Sequence, residues 1–442
     1  MKKDKINSLL RTYVKNNLSP DQDDITFVAK IYQSFNELLG ISNCIQIGSY
    51  PRYTAIKPLH DLDILYIIGD WTERNIIPFE SLNDLAIKFN SEYKNPTNLD
   101  LKIVVQTHSL SFRYLNGQTE IFAVDLVPAL KKGINEFEKN MFYVPEIIKK
   151  TIGANRNKYY SEKTQSKSEI IWIKTDPIGY IEIASALNNI NSDFRKTVKF
   201  VKGWKNFCKT QNAEFKLKSF HLEQIITRSF LSNNSLELFE SIFNFFTELR
   251  EKIMKPSILD RADNTKYIDE YLNELTDYQR EILNESIDSV LIGFENLDCT
   301  KDIEKVINSG FYKRNGKNEQ FLFDQKIPTL IDTDFTFKID GFIKKLNGFG
   351  LYKARLKFTN GVVDTENSIN FRVIKNTTFS KLLKWKVKND NNSPEPRGEI
   401  TDNTTSQITE KTAYKGRHFV ECYAIKDGIC VAKDRIYVIV RK

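Results

Sequence analysis

Ile45-Gln46-Ile47-Gly48-Ser49, followed across residues 50–60 by Asp61-Leu62-Asp63-Ile64-Leu65-Tyr66-Ile67-Ile68, is the stretch on which the reading turns. Ile45 and Ile47 alternate with a polar residue, and the run from Asp61 is apolar enough for a second strand. Successive side chains on a strand point to opposite faces. Asp61 and Asp63 therefore share one face, while Leu62 and Ile64 turn to the core. Glycine lets a backbone approach a phosphate closely, and a serine hydroxyl beside it can hold phosphate oxygens. A third carboxylate, Asp125, stands inside the apolar run Ile121-Phe122-Ala123-Val124-Asp125-Leu126-Val127. Burial there is costly unless the charge meets a cation or a strong donor. Three such oxygen donors suit Mg²⁺, which keeps waters and fills its remaining positions with phosphate oxygens. An Asp-x-Asp pair alone is common, and a Gly-Ser turn alone means almost nothing. Their order, with an isolated Asp in a later strand, carries the argument.

Outward from this centre, residues 6–15 predict one helix, and a segment after Ser19-Pro20 predicts a second, which Gly40 ends. Residues 41–130 predict a mixed sheet with few helices. It includes a helix over 81–89, a strand over 99–106 and a hairpin at Asn116-Gly117. Residues 131 to about 310 predict mostly helices, clearest over 192–209, 219–230, 235–252 and 277–293. From about residue 320 the period returns to two, with hairpin turns expected at Asn360-Gly361 and Asp427-Gly428. The expected fold class is thus α+β: a mixed sheet plus helical lobe over residues 1–315, and a separate mostly-β domain over 320–442.

The chain has 442 residues, 40% hydrophobic and 28% charged, too apolar for disorder and without an apolar run that spans a bilayer. The N-terminus lacks the pattern of a signal peptide, so a cytoplasmic location is expected and no membrane. Lys and Arg number 65 against 57 Asp and Glu, a net charge of +8. That mild excess, without a basic block, gives no strong nucleic-acid signal but is compatible with a polyphosphate pocket. The five cysteines, Cys44, Cys208, Cys299, Cys422 and Cys430, are too widely spaced for a disulfide framework. His418, Cys422 and Cys430 match no zinc spacing. His60 has the wrong parity to join the aspartates, and Gly348 and Gly350 precede no helix pattern, so they make no phosphate loop.

Ile47-Gly48-Ser49-Tyr50, Thr54-Ala55-Ile56 and Asp61-Leu62-Asp63-Ile64-Leu65 resemble the signature of DNA polymerase β-type nucleotidyltransferases. Within them the sequence is most similar to the bacterial CD-NTases, relatives of cyclic GMP-AMP synthase and the oligoadenylate synthases. Val124-Asp125-Leu126-Val127-Pro128 resembles that family's third-aspartate strand. Lys199 to Trp204 resembles its helix motif with a Lys-x-Trp ending, and Ser219-Phe220-His221-Leu222-Glu223 its Ser-aromatic-x-Leu-Glu helix start. Trp385 to Asn389, Pro396-Arg397-Gly398, Tyr414 to His418 and Glu421-Cys422-Tyr423 resemble the adenylyl/guanylyl and SMODS C-terminal sensor domain.

The resemblance implies a polymerase β-like core that joins nucleoside triphosphates such as ATP and GTP into a cyclic dinucleotide or larger ring. Asp61, Asp63 and Asp125 would be catalytic and hold two Mg²⁺ (or Mn²⁺), with Asp125 nearest the acceptor hydroxyl. Gly48 and Ser49 would hold the donor triphosphate, Lys202 would neutralise phosphate charge, Ser219 would bond a phosphate oxygen and Phe220 would stack on a base. The family often has Tyr where Phe220 stands, so the hydroxyl is lost. The bland alternatives are a solvated Lys202 and a core Phe220. The product would activate a downstream effector in antiphage defence, and the C-terminal domain would sense an unknown ligand. Arg397, beside Gly398 in the polar loop 389–397, is a candidate contact for it, or pairs with a surface carboxylate. Rival readings are an RNA- or protein-directed nucleotidyltransferase, and an inactive nucleotide sensor.

Overall fold

The computed structural model describes residues 3–71, 77–106, 108–147, 170–297, 303–316, 318–346, 351–401 and 405–441. Cys299, Gly348 and Gly350 lie outside these residues.

Helices α1 (Lys3–Tyr13) and α2 (Gln22–Leu39) open the chain, separated by a π turn at Val14–Leu18. Asp21 caps α2. Its carboxylate accepts the N–H groups of Asp23 and Asp24, and its own N–H donates to the Asp24 carboxylate, which satisfies orphan donors in both directions. The two helices serve different cores. Ile6, Leu10 and Val14 join the helical lobe, whereas Val28, Ile31, Phe35 and Leu39 pack on the sheet.

That sheet has seven strands: β1 (Cys44–Ile47), β2 (Asp61–Asp70), β3 (Asp100–Val105), β4 (Leu110–Asn116), β5 (Thr119–Ile134), β6 (Asn140–Ile147) and β7 (Ile170–Thr175). The order is β1-β2-β5-β4-β3, with β6 on the far end of β5 and β7 beside β6. β2 and β5 are parallel and place Asp63 opposite Asp125. Leu62, Ile64, Val124 and Leu126 point into the core formed with α2 and α3 (Pro78–Glu92), so the opposite face of the same strands is left to the aspartates. The hairpin at Asn116-Gly117 forms with its turn one residue later than the dipeptide suggests. Asn116 pairs with Thr119, and Gly117, at φ 60°, is the first turn residue.

Helices were expected from residue 131, but β5 runs to Ile134 and β6 and β7 are strands. The short apolar run Met141-Phe142-Tyr143-Val144 fits either period, and what decides it is the unpaired end of β5, whose backbone groups need partners. The helical lobe begins at α4 (Pro177–Ile190). It continues through α5 (Asp193–Gln211), α6 (Ser219–Ser232), α7 (Leu238–Lys252) and α8 (Asp277–Glu295) around Trp204, Phe215, Phe230 and Phe246.

From Phe337 on, a five-stranded and a four-stranded sheet form a sandwich over Phe371, Trp385 and Val438. Asp427 and Gly428, both at positive φ, join its long hairpin. Asn360 and Gly361 share that conformation but make no hairpin, because the strand after them pairs in parallel with Ile429–Arg441. The segment before the sandwich ties the two parts together. Phe321, Phe323 and Leu330 lie in the helical core, while Leu322 packs with Ile400 and Tyr423. Among the described residues no helix is long and apolar enough to cross a membrane.

Candidate active site

A cleft of about 760 Å³ opens between the sheet and the helical lobe, within the roughly 300–1,000 Å³ usual for small-molecule sites. Gly48, Ser49, Asp61 and Asp63 line one wall; Lys202, Ser219 and Phe220 line the other. Asp125 is brought to this group by strand register rather than by exposure to the cleft, since it is paired with Asp63 across β2 and β5.

Gly48 ends β1 at φ +76°, and Ile47 pairs with Asp63. A Cβ on Gly48 would stand 1.9 Å from Asp63 Oδ2. Only glycine therefore lets the turn fold down onto the carboxylate. The turn closes on itself, with the Thr54 N–H donating to the Ser49 carbonyl at 3.0 Å. Among the described residues Ser49 Oγ has no hydrogen-bond partner and faces the cleft.

Burial chiefly, then the charges of Asp61 and Asp125, push Asp63 up to about 7. Among the described residues Asp125 Oδ1 is buried with no hydrogen-bond partner, a condition rare among buried polar atoms. Both facts fit a divalent cation at this place. Among the described residues no three acidic, histidine or cysteine groups are gathered closely enough to hold a metal ion as they stand. The fit is thus one of charge, donor type and strand register.

Lys202 is not a free phosphate ligand. Its Nζ contacts Glu223 at 2.9 Å and donates to the Thr54 carbonyl at 3.0 Å. Arg52 meets the same carboxylate at 2.6 Å, and Thr54 Oγ1 donates to it at 3.1 Å. All four residues are buried. Burial raises Glu223, but Arg52 and Lys202 together draw it down to about 2. Burial, only partly offset by Glu223, holds Lys202 below its ordinary value. This node fastens the loop 48–60 to α5 and α6, and so fixes where Gly48 and Ser49 stand.

Two further cations line the cleft that the sequence reading passed over, Lys205 and Lys209. They follow Lys202 at helical spacing on one face of α5, and that i, i+3, i+7 row was the available signal. Burial, then Lys209 and Lys202, holds Lys205 down to about 8. Ser219 and Phe220 form the first turn of α6, where free N–H groups and the helix dipole favour an anion. Phe220 is half-buried and lines the cleft. Its ring meets Tyr180 edge-on at 4.9 Å, and the Arg52 guanidinium lies 5.3 Å from its centroid, so it is packed as well as presented.

In the sandwich, Arg397 Nη1 donates to Glu410 at 2.9 Å, the carboxylate pairing that was the plainer alternative. His418 Nδ1 accepts from the Asp390 N–H, and Nε2 donates to the Tyr414 carbonyl. That pair of bonds fixes its tautomer and pins the 389–397 loop.

Residues 316–441 match the family model of the adenylyl/guanylyl and SMODS C-terminal sensor domain. The chain is 22% identical over 296 residues to the cyclic AMP-AMP-AMP synthase of Escherichia coli (strain MS 115-1), covering 64% of this chain and 80% of that protein. Among solved structures, E. coli MS115-1 CdnC with ATP is similar at TM-score 0.45 and 14% identity, over 70% of this chain and 99% of that one. Rhodothermus marinus CdnE c-UMP-AMP synthase is similar at TM-score 0.42 and 13% identity, over 68% and 100%. Vibrio cholerae DncV cyclic AMP-GMP synthase stands at TM-score 0.38 and 14% identity, over 70% and 84%. The curated relative is a cyclic AMP-AMP-AMP synthase, and the resemblance to the CD-NTases with a C-terminal sensor domain rests on that sequence similarity and on the C-terminal family match.

Proposed function

We propose that this chain is a cyclic oligonucleotide synthase. The observation that carries the reading is the parallel register of Asp63 with Asp125, beside Asp61 and beneath the Gly48 turn. A ribose hydroxyl of one nucleoside triphosphate attacks the α-phosphorus of another; the new P–O bond forms as the bond to pyrophosphate breaks. Gly48 and Ser49 bind the donor triphosphate, the glycine by admitting a close approach and the serine through a hydroxyl that no group among the described residues engages. Lys205 and Lys209, with the N-terminus of α6 at Ser219, face the phosphates across the cleft. Lys202 acts at one remove, positioning the loop through Glu223 and Thr54. Phe220 and Tyr180 supply apolar surface for a base. Asp125 Oδ1, without a partner among the described residues, accepts the hydrogen bond of the attacking hydroxyl. Asp61, Asp63 and Asp125 would hold Mg²⁺, two ions in this reading, which when bound supply charge to stabilise the transferred phosphoryl group and the leaving pyrophosphate. A second round of the same transfer closes the ring, and the product signals to an effector in antiphage defence.

The test is incubation of the purified chain with Mg²⁺ and the four labelled triphosphates. A cyclic product has no terminal phosphate and survives phosphatase. A ladder of lengthening, phosphatase-sensitive strands would point instead to a polymerase-type transferase acting on RNA.

A further inference from the structure

Helix α5 carries cations toward two cavities. Lys205 and Lys209 face the cleft described above. One to three turns earlier, Arg195, Lys196 and Lys199 line a second cavity of about 470 Å³, together with Arg11, Lys15 and Tyr53. Among the described residues no carboxylate lines it. Asp193 lies behind the wall and pairs with Arg11 at 2.6 Å and Lys196 at 3.3 Å. Lys15, Arg195 and Lys199 have no carboxylate in ion-pair reach among the described residues.

Arg195 is only partly satisfied. Among the described residues its Nε is buried without a hydrogen-bond partner. The guanidinium lies 4.7 Å from the Tyr53 centroid, and Nη2 reaches Ser185 Oγ at 3.5 Å. Lys199 Nζ donates to Ser19 Oγ at 3.0 Å. Burial, with the charges of Arg195, Lys202 and Lys196, holds Lys199 down to about 8. Desolvated cations without counter-charges are costly, and an anion in the cavity relieves that cost. The π turn at Val14–Leu18 contributes Val14 and Lys15 to the wall, and such interruptions of helix are frequent at functional sites.

We propose that this cavity binds a small molecule bearing two or more phosphate groups. Several cationic heads gathered in one concavity exceed what a single carboxylate needs, and the guanidinium fork of Arg195 matches phosphate oxygens. The volume suits a small ligand, and the charges line a hollow rather than a stripe along which a nucleic-acid strand would lie. The site is joined to the cleft by shared structure. Tyr53, at φ 58°, belongs to the loop that starts with Gly48 and Ser49, and the Lys57 N–H of that loop donates to the Leu18 carbonyl at 2.9 Å.

The full chain is titrated calorimetrically with inorganic tripolyphosphate in metal-free buffer. Four proteins are compared: wild type, Lys15→Glu, Arg195→Gln and the front-cleft variant Lys205→Ala/Lys209→Ala. The proposal expects a binding event weakened at least tenfold by Lys15→Glu and by Arg195→Gln, and retained in the front-cleft variant. If Arg195→Gln does not fold, Lys15→Glu decides, because Lys15 is exposed. Absence of any event sensitive to Lys15→Glu overturns the proposal. So does a 20-nucleotide RNA whose binding depends on Lys15 while tripolyphosphate shows none, which would make the surface a nucleic-acid contact.

Discussion

Glu223→Gln tests whether the buried node beneath the loop 48–60 does what its geometry implies. The substitution keeps volume and removes the carboxylate charge that meets Arg52 at 2.6 Å and Lys202 at 2.9 Å. Glu223 is 1% exposed, so water cannot replace what is lost. Removing one partner of a buried ion pair costs about 3–5 kcal/mol. The carboxyl itself gives a second figure: its fall from 4.5 to about 2, at about 1.4 kcal/mol per pH unit, amounts to about 3 kcal/mol. The sign follows from linkage. A carboxyl held below its unfolded value stabilises the fold fully above that value and loses the contribution as pH falls through the folded one. The advantage of wild type over Glu223→Gln is therefore complete above about pH 4.5 and gone near pH 2. Equilibrium urea unfolding, followed through the fluorescence of Trp204 and its neighbours in steps from pH 7 to pH 3, reads both quantities. A loss below about 1 kcal/mol at pH 7, the size of an exposed pair, or a difference that does not shrink with acid, refutes the reasoning.

Gly48→Ala sets a Cβ 1.9 Å from Asp63 Oδ2 at a positive φ, a backbone cost of about 1–2 kcal/mol before the carboxylate moves; product formation is expected to fall at least a hundredfold with a melting temperature only a few degrees lower. Lys205→Ala and Lys209→Ala are expected to raise KM for triphosphate about tenfold each without shifting the unfolding midpoint, since charge-assisted contacts to an anion are worth about 1.5–3 kcal/mol. A chain ending at residue 315 loses Phe321, Phe323 and Leu330 from the helical core, and large apolar deletions there cost about 3–5 kcal/mol each. Circular dichroism melts should show it unfolded or strongly destabilised, while a chain ending at residue 334 keeps a cooperative transition.

The aspartate strands were legible because period two is a local property: Asp61, Asp63 and the apolar residues between them announce their faces. Asp125 was legible as a carboxylate where an apolar residue belongs. The partner strand, and so the register that sets Asp63 opposite Asp125, is a nonlocal pairing that no window of sequence contains. The same reason hid β6 and β7, whose short apolar runs become strands only because β5 overshoots its neighbours. Lys202 read as a phosphate ligand because a lysine on a helix declares its charge and not its partner; Glu223, on the next helix, supplies it. The sandwich showed its alternation and its Asp427-Gly428 turn. The segment carrying Phe321 and Leu322, which faces two cores within two residues, gives no periodic signal at all.

In the proposed reaction Asp61, Asp63 and Asp125 form the catalytic face of β2 and β5. The direct measurement is the rate of phosphatase-resistant product from labelled triphosphates and Mg²⁺, wild type against Asp61→Asn/Asp63→Asn. Asparagine keeps the size and removes the charge that holds a divalent cation. No detectable product is expected from the variant, and a melting temperature equal to or above that of wild type, because the cost of burying a charged Asp63, and after it the repulsion from Asp61 and Asp125, is relieved. Product at a near wild-type rate from a folded double variant would contradict it.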